Sequence, residues 1–195
     1  MAEEKWRQMA SDAIYEMLCA SFGMQPESAE AMKRFVPAYV FEATTPQADR
    51  NVNVCYYDIR PASSPNLQYT ETTYAPREAQ DAKAMIENHM PITVLFTFYG
   101  PEADNDSEYF WTLCQSDVDS SSPRAVLRKK AIVFNGKPEF PAGLDEIEGT
   151  FIRRRCDVRL NLVLYNVHYV PYGTVEQIPD FDTSAETGGG IIVQY

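Results

Sequence analysis

The sequence has 195 residues, 45% of them hydrophobic, which is enough to bury the core of one domain. Its formal net charge of −11 argues against a protein that wraps nucleic acid nonspecifically, because such binding needs concentrated positive charge. No apolar run reaches the roughly 18 residues that cross a membrane, and the charged beginning of the chain is unlike a signal peptide, so we expect a soluble protein made in the cytosol without membrane contact.

Two helices and two strands are predicted in the first part of the chain. Apolar residues at spacings of three and four predict an amphipathic helix over residues 3–22. A second, short helix is expected at residues 27–34, before an irregular passage that contains several prolines. Residues 52–60 and 66–74 are rich in β-branched and aromatic side chains, which favour strands, and the second strand is expected to lie beside the first.

Side chains alternate between two faces most clearly at residues 91–99, where one face of the predicted strand is entirely apolar and should be buried. A helix is predicted over residues 101–116, with Pro101 at its first position and acidic residues in its opening turns. Another helix is predicted over residues 122–130, where a serine and a proline give the same kind of start signal.

The strongest predicted element is a long strand over residues 150–170. It is apolar on one parity and polar or aromatic on the other, with Arg154 as the exception. From residue 171 onward, prolines and a run of three glycines replace any periodicity and predict an arm. The chain is therefore expected to be α/β (α+β), with a mixed, mainly antiparallel sheet and helices on one face, a single domain over residues 1–170 and an extended C-terminal arm over residues 171–195.

Two segments carry a resemblance to a known family. They are the strand-to-helix junction Phe98-Tyr99-Gly100-Pro101-Glu102-Ala103 and the arginine-headed strand from Arg153 to Tyr169. With the order of the predicted elements, they resemble the phage neck and tail terminator family, and in particular its neck-terminator group. The resemblance covers about residues 50–170, and the proline-containing passage over residues 24–50 and the arm after Pro171 depart from the family pattern.

The resemblance implies a structural virion protein that forms a hexameric ring at the phage neck. Such a ring caps the finished tail tube and joins it to the head connector or stopper protein, with the tail sheath as a further candidate neighbour. Genomic DNA passes through the ring without specific binding. The implied location is the virion, after assembly in the host cytoplasm, and the implied role needs no catalytic group.

The sequence offers no recognisable catalytic or metal-binding motif, so we expect no enzyme activity, no catalytic residues, no metal and no cofactor. Cys156 and His168 lie on one parity of the last strand, yet about 40 Å of extended chain separates them. Asp104, Asp106 and Glu108 could suggest a cation site, but the positive end of a helix dipole attracts acids by itself.

The four cysteines are expected to be buried free thiols. They lie far apart, no two of them form a CxxC pair, and the sequence holds only two histidines that could join them as ligands. Zinc and a disulfide framework are both disfavoured by this spacing. The residues concerned are Cys19, Cys55, Cys114 and Cys156.

Contacts between subunits are the remaining candidate sites. Arg153, Arg155 and Arg159 share the polar face of the last strand and could touch DNA or protein. We favour protein, because a channel that held its DNA tightly would hinder ejection. The predicted partner is the acidic helix start of the next copy, formed by Glu102, Asp104, Asp106 and Glu108.

The arm supplies a second candidate contact, because its apolar end needs burial that an irregular segment would not find in its own core. This end consists of Ile191, Ile192, Val193 and Tyr195. Two other functions remain open: another head-tail adaptor or tail-completion protein, and a small cytosolic enzyme with an unrecognised site. We further expect the isolated chain to be monomeric or weakly associated and to form its ring mainly on the tail tube.

Overall fold

The computed structural model describes residues 2–38, 51–62, 69–74, 83–117, 119–148 and 151–171. In this part of the chain the mixed α+β fold is confirmed, with helices beside a mainly antiparallel sheet. The helices are α1 Ala2–Ser21, α2 Ala29–Arg34, α3 Ala103–Gln115 and α4 Pro123–Arg128. The strands are β1 Phe35–Pro37, β2 Val54–Pro61, β3 Tyr69–Tyr74, β4 Lys83–Tyr99, β5 Ile132–Phe134, β6 Ala142–Glu148 and β7 Phe151–Pro171.

Two long antiparallel strands, β4 and β7, form the centre of the sheet. They pair continuously from Lys83 opposite Pro171 to Tyr99 opposite Arg155. Along its other edge β4 pairs first with β3 and then with β2, while the other edge of β7 pairs with β6 and β5. The short β1 extends β2 in parallel.

The core lies on one face of this sheet, as the apolar parity of residues 91–99 predicts. In the register of the sheet, Phe96 lies opposite Val158 and Phe98 opposite Cys156, and all four are buried. Phe110 of α3 packs on this layer, with its ring 4.9 Å from that of Phe96 and 5.8 Å from that of Phe98. Helices α1 and α4 complete the layer with Ile14, Met17, Leu18 and Leu127.

The predicted start of α3 needs a correction. Pro101 is not the first helical residue, because α3 begins at Ala103 with Glu102 as its N-cap. Gly100 has φ +117, and the amide of Glu102 donates to Asn53 Oδ1 at 3.1 Å, so a tight turn separates β4 from the helix. By contrast, α4 begins at Pro123 with the Ser122 hydroxyl as its cap, as predicted.

Gly100→Ala is expected to cost at least about 1–3 kcal/mol of the free energy of unfolding, from backbone strain and a clash. A Cβ there would lie 2.5 Å from Asn53 Oδ1 and 2.8 Å from Val52 O. Gly136→Ala is the matched control, because Gly136 has φ +90 but nothing within 4 Å of an added Cβ. Urea denaturation of both variants should show the larger loss for Gly100→Ala, and equal losses would argue against the close packing of this junction.

Three further sequence expectations differ from the structure. β4 begins at Lys83 instead of residue 91, and it runs through Pro91. The strand β6 was not predicted. The strand predicted at residues 66–74 is confirmed over Tyr69–Tyr74, but it pairs with β4 instead of with β2, its predicted neighbour. The arm predicted over residues 171–195 lies outside the described residues, apart from Pro171 at the end of β7.

Candidate subunit interface

The sheet face opposite the core is called the open face, because the described helices pack on the other side. Its central rows, read across β2, β4 and β7, are Tyr56–Thr97–Asp157, Asp58–Leu95–Arg159 and Arg60–Thr93–Asn161. At one end of these rows Tyr99 and Arg155 form another pair. Tyrosine and arginine are enriched where proteins bind one another.

The predicted arginine cluster lies on this open face. Arg155 is opposite Tyr99, Arg159 is opposite Leu95, and Arg153 is opposite Glu146 of β6. The three side chains therefore emerge on the same side of β7, as the parity of the sequence predicts. Their role in contacts with another subunit stays a prediction.

Arg155 is paired within its own chain. Its Nε and Nη2 donate to the two carboxylate oxygens of Asp157 at 2.9 and 2.8 Å, and its Nη1 lies 3.7 Å from Glu146 Oε1. This hydrogen bonding to Asp157 raises the pKa of the Arg155 guanidinium. Such a two-point contact fixes the position of the arginine on the sheet.

Tyr99 connects the arginines to β6. Its hydroxyl donates to Glu146 Oε2 at 2.9 Å. Burial, followed by this hydrogen bond, raises the pKa of Tyr99 to about 12. The phenol therefore remains protonated at physiological pH and keeps its role as a donor.

Arg153 packs over the aromatic ring of Tyr99, with its guanidinium carbon 4.0 Å from the ring centroid. Its Nε and Nη2 are buried and have no hydrogen-bond partner among the described residues. Buried donors without acceptors are costly, since they have lost water and gained nothing in exchange. Because these two nitrogens are buried, contact with another molecule would use the partly exposed remainder of the Arg153 side chain.

The acidic start of α3 is largely engaged within the chain. Asp104 accepts a hydrogen bond from Arg154 Nε at 2.8 Å, and Asp106 accepts one from Arg34 Nη2 at 2.8 Å. Burial raises the pKa of Asp106, although Arg34 opposes this shift. Glu102 and Glu108 are exposed. Pairing of this helix start with arginines of a neighbouring copy stays a prediction, and these two glutamates are the carboxylates best placed for it.

A shallow groove of about 570 Å³ lies on the open face. Its polar lining consists of Asp58, Arg60, Thr93, Asn135, Glu139, Arg159 and Asn161. The carboxylates in it are matched by arginines, since Asp58 pairs with Arg60 and Glu139 lies 3.6 Å from Arg159. None of the described residues that line the groove is a serine, cysteine or histidine, the residue types that most often act as nucleophile or imidazole base.

The four cysteines are free and buried, as predicted. Burial raises the pKa of the thiols of Cys55 and Cys114 well above the usual range, so the reactive thiolate is scarce. Within the described ranges, no group of three potential metal-ligating side chains comes together. None of the described helices is long and apolar enough to cross a membrane.

Sequence reasoning missed a second network on the core side of the sheet end. Arg154 bridges Asp104 of α3 and Asp145 of β6, at 2.8 and 3.0 Å. The sequence feature that indicates this network is the position of Arg154 on the otherwise apolar parity of β7, since a cation there requires carboxylate partners. The predicted contact residues Ile191, Ile192, Val193 and Tyr195 lie outside the described residues.

No protein-family model matches the chain. No curated protein matches it at a significant level either.

Proposed function

We propose that this chain is a structural subunit of a tailed-phage neck, a terminator that caps the tail tube as a hexameric ring and joins it to the head connector. The observation that carries the proposal is the open face of the sheet, with its arginines and tyrosines beside a fold whose core lies entirely on the other side. The strand-to-helix junction and β7 resemble the neck-terminator group. This resemblance is the reason for assigning the open face to contacts within a ring.

A closed ring of identical subunits needs two dissimilar surfaces on each copy, one for each neighbour. The open face offers one such surface through its cations, the partly exposed Arg153 and the exposed Arg159. The second surface must carry exposed acidic groups, and Glu102 and Glu108 at the start of α3 provide them. The two surfaces are complementary in charge, which favours contact between neighbouring copies over contact between identical surfaces.

The same arginines are poorly suited to tight DNA binding. Arg155 is neutralised by Asp157, and Arg159 lies near Glu139. Phosphate binding relies on unpaired positive charge, so these internal carboxylates weaken it. This arrangement supports a ring through which DNA passes without being retained.

The functional test is tail-tube growth in vitro. The tail-tube protein of the same phage is polymerised with and without this chain, and tube lengths are measured by electron microscopy. A terminator should stop elongation and remain at one end of each tube. Binding to the head connector without any effect on tube length would favour another head-tail adaptor or tail-completion protein.

A further inference from the structure

We propose that the outer edge of β6 binds residues 190–195 of a neighbouring copy as an added β-strand. The proposal rests on the proposed function in one respect, because a ring supplies each β6 with an adjacent copy. The acceptor surface itself is defined by the fold.

The outer edge of β6 is open. Among the described strands β6 pairs with β7 alone, so one row of its backbone amides and carbonyls has no strand partner. Leu144 is 49% exposed and Ile147 is 77% exposed. The register puts Leu144 on the open face, opposite Arg155, and Ile147 on the other face, opposite Ile152. An exposed edge strand with apolar side chains on both faces is a template for another strand.

Two of the three carboxylates on β6 are engaged within the sheet and give this edge little protection. Proteins often prevent edge-to-edge pairing by charged side chains on the edge strand. Here Asp145 accepts a hydrogen bond from Arg154 at 3.0 Å, and Glu146 accepts one from Tyr99 at 2.9 Å. Both carboxylates are therefore turned toward neighbours in their own sheet and are partly neutralised.

The proposed occupant is the segment Gly190-Ile191-Ile192-Val193-Gln194-Tyr195. It is uncharged, and its β-branched and aromatic residues favour a strand. In an extended conformation Ile191, Val193 and Tyr195 would face one side and Ile192 the other. Both sides of the added strand would thus carry apolar groups, matching the apolar residues on both faces of β6. Recognition of this kind combines backbone hydrogen bonds with side-chain contacts.

The length of the intervening chain indicates that the strand comes from a neighbouring copy. Asp145 at the middle of β6 pairs with Arg154, whereas β7 ends at Pro171. These two points of β7 are about 56 Å apart at about 3.3 Å per residue. Residues 172–189 would span about 60 Å when fully extended, but a relaxed chain of this length spans about 23 Å. Reaching its own β6 would require an almost fully extended connection, at about the limit of the reach of these residues, which favours an acceptor on another copy.

Disulfide trapping between full-length chains tests the proposal. A chain with Leu144→Cys is mixed with a chain carrying Val193→Cys, with and without assembled tail tubes, under mild oxidation, while the native cysteines are buried. We expect a disulfide-linked heterodimer. Met32→Cys is the matched control for Leu144→Cys, because Met32 is 59% exposed and lies on α2. It should link to residue 193 several-fold less, and Ile191→Cys and Tyr195→Cys extend the test to neighbouring registers.

Equal linking to position 32 and to position 144 in all three registers would overturn the proposal. A double variant with Leu144→Cys and Val193→Cys that closes within one chain would also overturn it, because the strand would then come from the same subunit. If rings form on tails with Leu144→Lys and Ile147→Lys, the edge proposal fails while the neck function stands. If the predicted disulfide forms but tube growth continues, the neck function fails and the edge proposal stands.

Discussion

Replacing Phe110 with alanine is expected to lower the free energy of unfolding by about 3–5 kcal/mol, because a buried aromatic side chain is lost and a cavity is left behind. Phe110 is fully buried. Its ring contacts those of Phe96 and Phe98, so it joins α3 to the central strand β4. Urea denaturation followed by circular dichroism would measure the change.

The control for this variant is Glu108→Ala, which changes an exposed residue on the same helix. Exposed substitutions of this kind usually change stability by less than about 0.5 kcal/mol. A loss below about 1 kcal/mol for Phe110→Ala would mean that α3 does not pack on β4 as the structure shows.

Reversing Arg155 to glutamate is expected to cost about 3 kcal/mol of the free energy of unfolding, near the upper end for hydrogen bonds to charged groups. The variant removes two hydrogen bonds to Asp157 and places a third carboxylate near Asp157 and Glu146. The Arg155 side chain is only 26% exposed, so solvent screens this repulsion incompletely.

Adding Asp157→Arg to the Arg155→Glu chain should recover much of that stability, since opposite charges face each other again. Such coupling between two changes is typical of direct contact. Asp106→Arg is the matched control, because Asp106 pairs with Arg34 on the other side of the sheet. Rescue of ring assembly by Asp106→Arg, with no effect of Asp157→Arg on stability, would instead support the contact between copies that the sequence predicts.

The long strands could be predicted because their two faces differ in polarity. In β7, buried Val158, Leu160 and Leu162 alternate with Asp157, Arg159 and Asn161 on the open face. A shift of one residue would exchange these faces, so the pattern determines which side is buried. The same reasoning predicted the arginines on one face but not their pairing. Arg155 binds Asp157, two residues along β7, whereas Arg159 lies near Glu139, which comes from another part of the chain.

The predicted start of β4 at residue 91 is wrong. Proline is unusual inside a central strand, so the sequence pattern favours a strand that begins at Pro91. Its position in the sheet explains why it is tolerated. Along this edge β4 pairs with β3 through His89 and with β2 from Ile92, so Pro91 lies between the two partners. The carbonyl of Pro91 accepts from Ala62 N at 2.9 Å, and the nitrogen of the same residue points to the same edge. Its missing N–H therefore falls opposite Ala62, just beyond the end of β2, and interrupts no pairing within that strand.

The strand β6 escaped prediction because its residues have low strand propensity. Ala142, Gly143 and Asp145 are all depleted in strands. Pairing with β7 overrides this preference, and Arg154 and Tyr99 bind the two internal carboxylates. The formation of this edge strand thus depends on contacts between distant residues, which a local pattern does not show.

The most direct test of the proposed function is a cryo-electron microscopy map of this chain bound to assembled tails. We predict a closed hexameric ring at the head-proximal end of the tube, with the open face of each subunit against its neighbour. The isolated chain should be monomeric or weakly associated by mass measurement at micromolar concentration. A single copy per tail, a two-fold dimer, or a position away from the end of the tube would contradict the account.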